Sequence, residues 1–133
     1  MKTMTFISQY GEDKGKTFEV TKMPVMKAEK WALKALLATM KGNPEIPEDV
    51  ASSGIIGLVQ IGLDGLRKCD SKDVEPLLDE MLEYVKFMPD PTKPYQLRKL
   101  FEQDIDDVRT ILGLRKAIWD FNTDFLSVDA TQN

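Results

Sequence analysis

The chain has no histidine, a single cysteine, no long apolar run and no excess of positive charge. Without imidazole, histidine-ligated metal sites, Ser-His-Asp triads and Cys-His dyads are all excluded. Cys69 has no second cysteine to pair with, so no intrachain disulfide can form, and a reducing compartment is expected. The longest apolar stretch, Gly54 to Leu63, is interrupted by Gln60 and is roughly half of what a bilayer-spanning helix needs. Met1 to Tyr10 lacks the unbroken apolar core of a secretion signal, so neither export nor a membrane partner is expected. The net charge is -4 and the pI about 4.9. Phosphate backbones are therefore weakly repelled, and nucleic acid is not an expected partner.

What is present is the composition of an ordinary globular domain, with 42% hydrophobic and 30% charged residues in 133. One domain over residues 1–126 is expected, followed by a polar tail at 127–133 that lacks periodicity. Thr5 to Tyr10 and Thr17 to Thr21 are rich in β-branched and aromatic residues, and Gly11 to Gly15 between them is a turn signal. A β-hairpin over about 4–22 follows, with Phe6 and Phe18 as its apolar anchors. A lone ribbon is marginal in water, so it must pack on something.

The rest of the sequence reads as helices. Ala28, Ala32, Leu36 and Met40, with Trp31, Leu33 and Leu37, recur at helical spacing over about 25–41, and Lys27, Lys30, Lys34 and Lys41 fall together on the opposite side. That lysine side is a solvated face or a surface for an acidic partner. A second helix over about 49–68 is apolar around most of its girth and carries Gly54, Gly57, Gly62 and Gly65, which points to close packing against a neighbour, with a helix that rearranges when a partner arrives as the alternative. A third, over about 73–87, is capped by Asp73 or Ser71, tolerates Pro76 in its first turn, and carries the stripe Val74, Leu77, Leu78, Met81, Leu82 and Val85. A fourth, over about 104–125, begins at Asp104, Asp106 and Asp107. Its apolar sets, Ile105, Val108 and Leu112, then Leu114, Ile118, Phe121 and Phe125, point in different directions, so it either bends near Gly113 or is buried on two sides. The expected class is α+β, mainly α: an N-terminal β-hairpin packed on a bundle of about four helices.

Two motifs fail on inspection. Gly11-Glu12-Asp13-Lys14-Gly15-Lys16-Thr17 resembles a phosphate loop but has three residues between its glycines instead of four, and a strand follows where a helix is needed. The aspartates at 104, 106 and 107 lack the glycine of a calcium loop, since Arg109 stands at that place. No catalytic residue, cofactor site or metal site is therefore expected, and the chain reads as a non-enzyme. Apolar surface remains as the functional signal. Seven methionines and several large aromatics supply soft, adaptable contacts, and Met23, Met26, Met81, Phe87, Met88, Trp119, Phe121 and Phe125 are the candidate partner-binding residues.

The order of segments carries a resemblance. Lys16 to Pro24, Ala28 to Ala32, the glycine-spaced Gly54 to Leu66, Pro76 to Leu82, and Asp104 to Val108 through Phe125 are similar to small phage and prophage tail assembly chaperones, over about Lys16 to Phe125. The resemblance implies binding of the tape measure protein, assistance to the tail tube protein as it assembles, and self-association as a further contact. It also implies a place in the host bacterial cytoplasm and absence from the mature virion. A minor tail or head-completion protein, and a phage inhibitor of a host factor, are the alternatives from other classes.

Overall fold

Four of five residues in Thr3–Ile7 (β1) and in Thr17–Thr21 (β2) are β-branched or aromatic, and the two strands pair antiparallel with Phe6 opposite Phe18. The structure, a computed structural model, describes residues 2–42 and 63–123. These form two compact units, one drawn from Met1–Lys22 and Met81–Asn133, the other from Met23–Glu80.

In the first unit the hairpin is half of a larger sheet. Val85–Met88 (β3) pairs antiparallel with β2, and Arg98–Lys99 (β4) with β3, giving the order β1-β2-β3-β4. The register puts Phe6, Phe18, Phe87 and Arg98 opposite one another in one row across all four strands. Phe18 is fully buried at its centre, with ring centroids 6.2 Å from Phe6 and 5.3 Å from Phe87. The Arg98 guanidinium ends the row, 5.0 Å from the Phe87 centroid and 4.9 Å from that of Phe101. Cross-strand contacts of this kind fix the register as well as adding stability, about 0.2–1 kcal/mol each.

The helix of this unit, Val108–Asn122 (α3), is continuous through Gly113 and buries Thr110, Leu114 and Ile118. Val108 and Leu112 are exposed, so the helix needs neither a bend nor burial on two apolar sides. Gly113 is where the Phe6 and Tyr10 rings press on the helix: a Cβ there would sit 3.0 Å from Phe6 Cζ and 3.5 Å from Tyr10 Cε2.

The second unit contains Val25–Gly42 (α1), a 3₁₀ turn at Leu63–Lys68, and most of Ser71–Leu82 (α2). Trp31, Ala32, Ala35, Leu36, Ala38 and Thr39 line the buried side of α1. The Trp31 indole N–H donates to the Leu77 carbonyl at 3.0 Å, which fixes α1 to α2 and gives the buried indole its partner. The residue before α2 is its cap: the Asp70 carbonyl accepts from the amides of Asp73 and Val74, and its carboxylate from the amide of Lys72 at 3.2 Å. With Ser71 as the first helical residue, Pro76 is the sixth, beyond the first turn, and it has no amide to give the Lys72 carbonyl.

The expected hairpin on a bundle of about four helices is not what forms. A four-stranded antiparallel sheet stands where the hairpin was expected alone, and the described residues hold three α-helices. The helix expected over 73–87 stops at Leu82, and Val85–Met88 becomes a strand. Val85 continues the helical stripe by spacing from Met81, so periodicity alone favoured helix. Pairing along β2, whose Phe18 and Val20 are both fully buried, outweighs that local preference. The helix expected over 49–68 lies outside the described residues except for the 3₁₀ turn at its end, and the tail at 127–133 lies outside them altogether.

Candidate functional site

Two clusters in the described residues concentrate chemistry or surface. The first is a buried carboxylate. Asp13 sits at the end of a 3₁₀ turn, Gly11–Asp13, between β1 and β2, and its side chain is fully enclosed. It accepts from the backbone amides of Asp106 at 2.9 Å and Asp107 at 2.8 Å, from Thr110 Oγ1 at 2.7 Å, and from Lys16 Nζ at 2.8 Å. Thr110 Oγ1 also shares a hydrogen bond of 2.8 Å with Ser8 Oγ. Burial pushes the Asp13 carboxyl up, but Lys16, the two amides and Thr110 together outweigh it and hold the group well below the usual carboxylate range. Lys16 is raised in turn, first by Asp13 and against its own burial, and it also reaches Asp106 at 3.0 Å and the Asp104 carbonyl at 2.9 Å.

The other aspartates of this segment have separate tasks. Asp107 is the N-cap of α3, accepting from the Arg109 amide at 2.9 Å, and its pairing with the Arg109 guanidinium keeps it low. Asp104 closes a 3₁₀ turn at Glu102–Asp104, takes a two-pronged pair from Arg98 at 2.7 and 2.8 Å, and is held low by it. Gly11 adopts φ +48°, and a Cβ there would stand 2.5 Å from Asp107 Oδ2, so the loop is seated on the start of α3. Every lone pair of Asp13 used here points at a structural donor. The arrangement is a clamp between the hairpin loop and α3, with the Asp13 carboxylate engaged on all sides by structural donors.

The second cluster is the outward side of α1. Met26 is 75% exposed, Leu33 52%, Leu37 56% and Met40 37%. At about 100° per residue these four lie within an arc of about 60°, and they run about 21 Å along the helix. The expected division of this helix into one apolar and one lysine side therefore fails. Trp31, Ala32 and Leu36 go inward, while Leu33, Leu37 and Met40 face solvent beside the lysines. Counting angular positions from Met26 finds this line in the sequence; grouping all apolar residues at helical spacing hides it.

The eight partner-binding candidates are distributed between the units. Met23 is buried and Met26 exposed, both in the second unit. In the first, Met81 and Met88 are buried, and Phe87, half-buried, belongs to the aromatic row of the sheet. Trp119 and Phe121 are half-buried on α3, with the Lys22 ammonium 5.4 Å from the Phe121 centroid. Phe125 lies outside the described residues. Cys69 is half-buried in the second unit: its thiol donates to the Gly65 carbonyl at 3.6 Å, and partial burial raises its pKa, making it a poor nucleophile.

Among the described residues no group of acidic or cysteine side chains is arranged to hold a metal ion, and no helix is long and apolar enough to cross a membrane. Comparison of the chain with protein-family profiles, curated proteins and solved structures finds no match.

Proposed function

We propose that this chain is a phage or prophage tail assembly chaperone that binds an apolar helix of the tape measure protein and assists the tail tube protein in assembling around it. The observation that carries the reading is the exposed line Met26, Leu33, Leu37 and Met40 on α1. Fully burying a Leu or Met side chain is worth about 1.5–3 kcal/mol, so a helix that leaves four of them between about a third and three-quarters exposed forgoes stability that a partner can recover. The i, i+7, i+11, i+14 spacing is that of a helix-on-helix contact, and methionine at both ends lets the surface adapt to sequences that vary along a long client. The resemblance in segment order over about Lys16 to Phe125 supplies the identity of that client.

Co-expression with tagged fragments of the tape measure protein tests it. The chain is expected to co-purify with at least one fragment, and Leu33→Asp/Leu37→Asp, at two half-exposed positions, is expected to abolish capture while the chain still melts cooperatively, only a few degrees below the parent. Failure to retain either tape measure or tube protein refutes the reading. Detection of the chain in purified particles supports a minor structural protein instead.

A further inference from the structure

We infer that the exposed apolar line of α1, with the cleft beside it, receives a helix with acidic flanks, its carboxylates read by the lysine row of α1; this rests on the chaperone reading and narrows the client to one charge class. From Met26 as origin, Lys30, Lys41, Lys34 and Lys27 fall at about +40°, +60°, +80° and +100°, all on the same side of the apolar line. That side is the one facing α2, because a cleft of ≈ 380 Å³ there is lined by Leu37, Pro76 and Leu77 and by three lysines, Lys34, Lys41 and Lys72, with one carboxylate, Asp73, among them.

Three of the four cations have no internal counter-ion among the described residues. Lys27, Lys30 and Lys34 are exposed and make no ion pair among the described residues, while Lys41 alone meets Asp73, at 3.2 Å and in solvent. A row of positive charge on a chain of net charge -4 is a local feature set against the overall balance. An apolar line bordered on one side by cations is complementary to an amphipathic helix whose apolar face is bordered by Asp or Glu. Rim charges of this kind act chiefly on partner choice and on association rate. A second copy of the chain could offer the acidic side of its own α2, but α2 is already the wall of the cleft, so one helix would have to serve as both wall and ligand.

The test uses the intact chain and two labelled synthetic helices with one shared Leu/Met face, flanked in one by Glu and in the other by Lys. By fluorescence anisotropy at low salt the Glu helix is expected to bind about tenfold more tightly, with the margin shrinking as salt is added. Lys30→Glu/Lys34→Glu, with an unchanged melting temperature, is expected to reverse the order. Equal affinities, or a preference that survives the double variant, overturn the inference, as does salt-sensitive self-association through this face in sedimentation that the double variant removes. Capture of a tape measure fragment without any charge preference removes this inference and leaves the chaperone reading standing. Charge-dependent binding of the Glu helix without such capture does the reverse.

Discussion

Replacing Asp13 with asparagine changes one oxygen to an amide nitrogen and leaves the volume almost unaltered, so it isolates charge and hydrogen bonding from packing. Oδ1 faces Lys16 Nζ and the Asp106 amide, and Oδ2 faces the Asp107 amide and Thr110 Oγ1. Whichever way the new amide turns, its NH₂ meets a backbone N–H that cannot reverse its polarity. The Thr110 hydroxyl can rotate to accept, which recovers part of one contact. Removing one partner of a buried ion pair costs about 3–5 kcal/mol. Lys16 keeps Asp106 at 3.0 Å and is partly in water, so the expected loss is nearer 2–4 kcal/mol. For a chain of this size that lowers the melting temperature on the order of 10 °C. Urea unfolding followed by far-UV circular dichroism is the assay, with Glu12→Gln, one residue away and exposed, as the control expected to stay within about 0.5 kcal/mol of the parent. A midpoint for Asp13→Asn that moves no further than the control's refutes the clamp.

Acid is expected to destabilise the fold through the same groups. Asp13, Asp104 and Asp107 are held below their unfolded values, so the unfolded chain takes up protons first as pH falls. Their contribution is complete above about pH 5 and is lost progressively as pH drops through about 4 and below, while that of Lys16, whose pKa is raised, persists until the pH rises past about 10.4. Urea midpoints measured from pH 3 to pH 11 check both limbs, and Asp13→Asn should flatten the acid one. Gly11→Ala must both strain a left-handed backbone and place a methyl against the Asp107 carboxylate, and a loss of about 2 kcal/mol or more in the same assay is expected. Pro76→Ala supplies the missing amide to the Lys72 carbonyl in the interior of α2, and thermal melts should show a gain of roughly 1–3 kcal/mol.

Local signals in the sequence were sufficient for some elements. The β-branched runs around Gly11 to Gly15 mark β1 and β2, and helical spacing marks α1, because in both cases neighbours within a few residues carry the pattern. The Asp13 clamp was invisible for the opposite reason. Its loop reads as a failed phosphate site and Asp104 to Asp107 as a helix start, yet the two halves of one hydrogen-bond cluster lie 93 positions apart at Asp13 and Asp106. Phe87 is a similar case, since its surroundings resemble the end of a helical stripe and only the presence of β2 makes a strand of them. The signal that could have found it was Tyr84-Val85-Lys86-Phe87 running into the proline-rich turn that follows. The exposed line on α1 was legible in principle, from the angular positions of Met26, Leu33, Leu37 and Met40.

The sheet also has a history during synthesis. Val20 finds its neighbour in Val85, which leaves the ribosome 65 positions later. Until then Phe18 and Val20 belong to a two-stranded ribbon with an open inner edge, the least secure form of β-structure in water. Closing a loop of that length is an entropic cost that any early order within Met23–Glu80 reduces by shortening the slack. The inserted segment thus bears on the assembly of its host, although it contributes no strand to the sheet.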